Sequence, residues 1–91
     1  MMLTIELFGA LRLKAGGAHW RVEARDLSEA LERLIEQAPG LRVALIECDD
    51  GGWALHPAYR ACVNSRSFVT DPRSPLSDGD VVLLMAADAG G

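Results

Sequence analysis

The chain has 91 residues, 49% of them hydrophobic and 24% charged, which allows one small globular domain and excludes a disordered or low-complexity chain. The net charge is −4 and the Lys and Arg residues are scattered, so the basic stripe typical of nucleic-acid binding is missing. The longest apolar run, Val81–Ala87, is too short to span a bilayer, and the N-terminal residues do not resemble a signal peptide, so we expect a cytoplasmic protein without a membrane or nucleic-acid partner.

The first half of the chain predicts two strands joined by a turn. Residues 3–8 alternate apolar and polar side chains, which is typical of a half-buried strand with Leu3, Ile5 and Leu7 facing inward. Small residues and a Gly pair between Gly9 and Gly17 predict a turn. His19–Glu23 alternates again, so we expect it to pair back as a hairpin with Trp20 and Val22 inward.

A helix is predicted to follow. Asp26 is a good N-cap, and Glu29 three residues later completes a capping box. The apolar residues that follow recur at helical spacing, with Leu31 and Leu34 at the centre of the stripe. Pro39-Gly40 predicts the end of the helix.

The second half is less regular. Residues 41–46 are compatible with a short helical turn or a strand, and residues 49–52 predict a loop tip. Strands are predicted at 59–63, 67–69 and 81–86, with a tight turn at Asn64-Ser65 and a turn at 77–80. The last strand is apolar on both faces, which favours a central position in the sheet.

Conventional catalytic motifs are not evident. Cys48 and Cys62 do not form a C-x-x-C pair, His19 and His56 are isolated, and no phosphate-binding glycine motif is present. One disulfide is formally possible, but two reduced thiols, with Cys62 buried, fit a chain without an export signal better.

Together these elements predict an α+β fold with a helix across one face of a sheet. If the last strand lies beside the first, the sheet is mixed, and the arrangement is that of a β-grasp, or ubiquitin-like, fold. We expect residues 1–86 to form this domain and residues 87–91 to form a flexible tail that ends in Gly-Gly.

Several segments resemble the sulfur-carrier family of the molybdopterin synthase small subunit and the thiamine sulfur carrier. The matching segments keep the family's order and spacing along the whole chain. They are the opening strand and turn at 5–12, the helix start at 26–31, Val63-Asn64, Leu76-Ser77-Asp78-Gly79-Asp80 with Val82, and Gly90-Gly91. Three features depart from the pattern: Ala86-Ala87-Asp88 replaces the usual Pro-Pro-hydrophobic stretch, Ser65 replaces a glycine, and Leu55-His56-Pro57 with Arg60 is similar to family members that serve cysteine or specialised metabolism.

The resemblance implies a chemical role for Gly91. A terminal carboxyl group, with a reference pKa of about 3.3–3.7, is a carboxylate at neutral pH and a poor electrophile. In the family it is adenylated by a ubiquitin-activating-like enzyme that uses ATP and magnesium, and sulfur then displaces AMP to form a thiocarboxylate. The carrier itself needs no permanently bound cofactor or metal and is not an enzyme.

The residues before Gly91 then serve to present it. Extended, the five residues 87–91 would reach roughly 17 Å, enough to thread a partner's channel. Gly90 has no Cβ to meet the channel walls, and Ala87, Asp88 and Ala89 would contact the partner on the way.

The last strand predicts a docking surface. The spacing after Asp78-Gly79-Asp80, carried over from the family, implies that Val82 and Leu84 face the helix. Leu83 and Met85 then face the other side of the sheet, and we expect them to form an apolar patch for the activating enzyme and the acceptor synthase. The alternative is that residues 41–57 cover these two side chains.

The alternatives for function also remain open at this point. The chain could carry sulfur to molybdopterin, cysteine, thiamine, tRNA or a specialised metabolite. It could instead be a ubiquitin-like modifier joined through Gly91 to lysines of other proteins, or a β-grasp interaction module without terminal chemistry. Taken without the upstream matches, Gly90-Gly91 could also be an ordinary frayed end or a cloning remnant.

Overall fold

The computed structural model describes residues 1–42, 46–49, 52–69 and 71–87. Their main sheet has five strands in the order β2-β1-β7-β5-β6, and a separate two-stranded ribbon is formed by β3 and β4. The strands are β1 (Met2–Leu7), β2 (His19–Glu23), β3 (Ile46–Asp49), β4 (Gly52–Leu55), β5 (Tyr59–Val63), β6 (Ser67–Val69) and β7 (Val81–Ala86). The helices are α1 (Ala10–Ala15) and α2 (Leu27–Gln37), and a 3₁₀ turn spans Pro39–Leu41.

The sheet is mixed, as predicted. β1 pairs antiparallel with β2 and parallel with β7, and β7 pairs antiparallel with β5. β7 therefore occupies the centre of the sheet, which explains its apolar side chains on both faces. The predicted α+β β-grasp architecture is confirmed.

The helix α2 begins and ends where the sequence predicts. The Asp26 side chain accepts a hydrogen bond from the Glu29 N–H at 2.8 Å, and the Glu29 carboxylate accepts one from the Arg25 N–H at 2.9 Å. The second bond reaches the residue before the N-cap, so the capping box is shifted by one position. Leu31 and Leu34 are fully buried against the sheet, together with Leu3, Ile5 and Leu7 of β1.

The turn predicted between Gly9 and Gly17 is wrong, because residues 10–15 form α1. These residues are good helix formers, and Leu11 is buried in the core. Gly16 ends the helix in the left-handed conformation and donates its N–H to the Arg12 carbonyl at 3.1 Å. The Gly pair therefore marks a helix end, and six residues are too few for a helical period to be visible in the sequence.

The segment between α2 and β5 contains a hairpin that the sequence did not predict. Asp49 and Gly52, expected in a loop tip, are paired strand residues that close the β3–β4 hairpin. Leu41 ends the 3₁₀ turn and Ile46 begins β3, while residues 43–45, 50 and 51 lie outside the described residues. The hairpin packs against α2 and β5 through β4, on the helix side of the sheet. The alternative that this segment covers Leu83 and Met85 is therefore not supported.

Candidate functional site

The two faces of β7 differ in burial. Val82 and Leu84 belong to the core beneath α2, and Leu84 is 0% exposed. Leu83 and Met85 lie on the opposite face of the sheet and are half-buried. The predicted register of the last strand is confirmed by this alternation, whereas the docking role of Leu83 and Met85 stays a prediction.

The open face of the sheet carries an apolar patch around these two side chains. Leu83 pairs with Cys62 of β5, which in turn pairs with Phe68 of β6. Phe68 is 62% exposed and Phe8, just beyond β1, is 48% exposed. We define the apolar patch as Phe8, Cys62, Phe68, Leu83 and Met85. Cys62 is a buried free thiol on this face, as the sequence led us to expect.

Charged side chains border the apolar patch on both sides. The Arg60 guanidinium lies 5.9 Å from the centre of the Phe68 ring, close enough for a cation–π contact. On the other side, the Glu6 carboxylate lies 2.8 Å from the His19 ring nitrogen. The open face is thus an apolar surface with a polar border, the usual arrangement of a protein-binding surface.

A small groove connects the apolar patch to the end of β7. Its cavity has a volume of about 160 Å³ and is lined by Phe8, Gly9, Ala10, Leu11, Tyr59, Met85 and Ala86. The next residue, Ala87, donates its backbone N–H to the Ala58 carbonyl at 2.7 Å. The chain is therefore held against the fold through Ala87, the first residue of the predicted tail.

The structure places only part of the predicted site. Leu83, Met85 and Ala87 are described and lie at or beside the groove. Asp88, Ala89, Gly90 and Gly91 lie outside the described residues. Phe8 and Phe68 were missed by the sequence analysis, although extending the strand alternation by one residue from Leu7 would have placed Phe8 on the open face.

The Asp-Gly-Asp segment that contributes to the family resemblance serves the fold. One carboxylate oxygen of Asp80 accepts a hydrogen bond from the Asn64 side chain at 2.9 Å, and the other accepts one from the Ser77 N–H at 2.8 Å. The Asn64 side chain also accepts a bond from the Val81 N–H at 2.9 Å. These bonds join the β5–β6 turn to the start of β7.

The described residues show no cluster suited to metal binding. Among them, no group of three His, Cys, Asp or Glu side chains could hold a metal ion. A cavity of about 360 Å³ is lined by described residues that include no carboxylate, histidine or cysteine: Leu55, Pro57, Tyr59, Arg60, Ala61, Phe68 and Val69. Within the described part of the chain, no helix is long and apolar enough to cross a membrane.

Comparisons with known proteins give structural relatives only. No protein-family model and no curated protein sequence matches the chain. Small archaeal modifier protein 1 (SAMP1) from Haloferax volcanii is 22% identical with a TM-score of 0.82, and the match covers 100% of both chains. A chain of the BexX/CysO complex from Amycolatopsis orientalis is 22% identical with a TM-score of 0.80 and coverage of 98% of this chain and 99% of that one. A chain of the complex of subunits 1 and 2 of molybdopterin-converting factor from Helicobacter pylori is 22% identical with a TM-score of 0.63 and full coverage of both chains.

These matches span the whole chain but have low sequence identity, so they establish the fold and leave the function to be tested. The chain has the ubiquitin-like β-grasp fold that it shares with a small archaeal modifier protein and with proteins of the CysO and molybdopterin-converting-factor complexes.

Proposed function

We propose that the protein is a sulfur carrier whose C-terminal Gly91 is adenylated and then converted to a thiocarboxylate. The observation that carries the proposal is the apolar patch, which includes two side chains of β7, the strand that precedes the segment ending in Gly-Gly. The fold supports it, since structures with the same fold come from complexes in which two different proteins associate.

The proposed chemistry takes place on the partner enzymes. The Gly91 carboxylate attacks the α-phosphorus of ATP, releases pyrophosphate and forms an acyl adenylate. A persulfide on the activating side then displaces AMP and forms an acyl disulfide. A second thiol on that side cleaves its S–S bond, which leaves a disulfide on the activating side and a thiocarboxylate on the carrier, able to attack an acceptor in a synthase. The carrier supplies no acid, base or metal in these steps, so we propose that it is a co-substrate or non-catalytic subunit that acts in the cytoplasm, where ATP is available.

Each part of the proposed site has one task. The apolar patch docks the activating enzyme and, in a later step, the acceptor synthase, because both must approach the same terminal carboxyl group. Residues 87–91 act as a tail that enters each partner in turn. Gly90 and Gly91 keep the end narrow, since a side chain at either position would meet the walls of the channel.

For the acceptor we propose the large subunit of a molybdopterin synthase or an equivalent synthase. The structural match to molybdopterin-converting factor supports this choice. The departures at Ser65 and at residues 86–88 weaken the assignment to molybdopterin, and Leu55-His56-Pro57 with Arg60 favours a carrier for cysteine or a specialised metabolite as the second candidate. Genes adjacent to the one that encodes this chain would distinguish the two.

A second candidate function is that of a protein modifier. The match to small archaeal modifier protein 1 favours it. In that case the activated Gly91 would form amide bonds with lysines of target proteins, through the same adenylate.

Intact-protein mass spectrometry tests the proposal. The full chain is incubated with an activating enzyme, ATP, magnesium and a sulfur source, and its mass is then measured. Replacement of one oxygen atom by sulfur at the C-terminus is the expected result, and covalent adducts with other proteins would favour the modifier. An unchanged mass with a panel of activating enzymes would contradict both and favour an interaction module.

A further inference from the structure

Almost all basic residues of this chain are arginines. Nine positions carry Lys or Arg, and Lys14 is the only lysine among them. A guanidinium group stays protonated in proteins and does not attack acyl groups, whereas a lysine amine becomes a nucleophile once it loses its proton. Apart from the α-amine, the chain therefore offers a single amine to an activated carboxyl group.

Lys14 is exposed and unpaired within the described part of the chain. It lies in the last turn of α1 and has no hydrogen bond or ion pair with any described residue. Residues 7–18 contain no Asp or Glu, so no carboxylate on its own segment holds the ammonium group in place.

The surroundings of Lys14 suit the approach of another protein. Its neighbour Leu13 is 79% exposed, so a large apolar side chain faces solvent beside Lys14. The start of α1 lines the groove at the end of β7, so α1 lies at the edge of the fold from which the tail departs. An exposed leucine beside a free amine provides both an anchor and a nucleophile on one short helix.

We propose that Lys14 is a self-conjugation site, at which one copy of this chain accepts the Gly91 acyl group of a second copy. The proposal rests on the proposed function, because it requires Gly91 to be activated. The neutral Lys14 amine attacks the carbonyl carbon of the Gly91 adenylate, the bond between that carbon and the AMP oxygen breaks, and an amide, AMP and a proton are formed. Because each copy has one lysine, the products are unbranched chains with a single type of linkage.

A comparison of the wild-type protein with two variants of the full chain tests this site. Each protein is incubated with an activating enzyme, ATP and magnesium without a sulfur source, and two quantities are measured: the adenylate, and covalent dimers on denaturing, reducing gels. Lys14→Arg keeps the charge but removes the nucleophile. The double variant Arg12→Lys/Lys14→Arg restores an amine two residues away, on a different side of α1.

The expected result is that Lys14→Arg forms the adenylate normally but at least tenfold less dimer, and that the double variant stays at least fivefold below the wild type. Trypsin should release residues 74–91 attached to residues 13–21 at Lys14, since a modified lysine is not cleaved. The site would be overturned by adenylate without dimer in the wild type, by dimers joined at the α-amine, or by full recovery in the double variant.

Failure of the proposed function gives a different result, because no adenylate then forms on any of the proteins. In that case the same three proteins are prepared with a C-terminal thioester, which is an acyl donor independent of an activating enzyme. Formation of the Gly91–Lys14 amide from this donor supports the site, and its absence overturns it.

Discussion

Exchanging adjacent residues of β7 for glutamate distinguishes the core face of the sheet from the docking face. Leu84 is fully buried beneath α2. Truncation of such a leucine costs about 2–5 kcal/mol, and burial of an unpaired carboxylate adds several more. A domain of this size has a free energy of unfolding of roughly 5–15 kcal/mol. We therefore expect Leu84→Glu to remove most of that free energy and to leave the protein largely unfolded.

Met85→Glu should behave differently, because the Met85 side chain is half-buried on the open face. Full burial of a methionine contributes about 1.5–3 kcal/mol, so the loss here is about 1 kcal/mol, and the glutamate can extend into water. For a domain of this length, that loss lowers Tm by about 4–8 °C. The same carboxylate would have to be desolvated when a partner covers the apolar patch, so we expect binding to weaken at least tenfold.

Thermal unfolding of both variants and a binding titration with the activating enzyme measure these effects. The prediction requires Leu84→Glu to lose the folded state and Met85→Glu to keep it while binding weakly. If Met85→Glu proves to be the variant that unfolds, the proposed faces of β7 are exchanged. If it folds and binds like the wild type, the apolar patch is not the docking surface.

Three further changes, one deletion and two substitutions, test the tail and the β5–β6 turn. Deletion of Gly91 should abolish thiocarboxylate formation, measured by intact mass, and leave Tm within about 2 °C of the wild type, since one terminal residue outside the core adds little stability; a large fall in Tm would contradict a separate tail. Gly90→Val should reduce adenylation at least tenfold, because its branched side chain would meet the channel walls, and near-normal adenylation in a pyrophosphate-exchange assay would refute the narrow channel. Ser65→Gly should raise the free energy of unfolding by about 0.5–1 kcal/mol, because Ser65 has a φ of 59°, which costs an L-residue roughly 1–2 kcal/mol. Urea unfolding of Ser65→Gly and of the control Arg66→Gly, where φ is not positive, would disprove this if both changes were equally destabilising.

The parts of the fold with a clear local period could be predicted from the sequence. The apolar stripe through Leu31 and Leu34, with Asp26 as the N-cap, identified α2 and its first residue. The alternation in β1 identified the strand and the side of the sheet that each of its side chains faces. In α2 and β1 one physical requirement, burial of one face, decides both the secondary structure and the orientation. β7 was recognised as a strand from its apolar run, and its faces were carried over from the spacing after the Asp-Gly-Asp segment.

Prediction failed where local pattern and tertiary contact disagree. α1 has only six residues and one buried side chain, Leu11, so its sequence cannot show a period. The β3–β4 hairpin is held by packing of β4 against α2, a contact between distant segments that no local window contains. Phe68 was placed in a strand but not on a face, because three residues of β6 are too few to establish an orientation.

Apart from Gly90-Gly91, the residues that carry the family resemblance largely differ from the residues that would carry the function. Asp80 and Asn64 join a turn to β7 through hydrogen bonds, and Asp78 accepts a bond of 2.7 Å from the Met2 N–H at the start of β1. Any protein with this fold could use these contacts, whatever its chemistry. The resemblance is therefore stronger evidence for the fold than for the activity. The activity depends on the open face and on Gly91, which is why the decisive tests alter Met85 and the tail and leave the Asp-Gly-Asp turn intact.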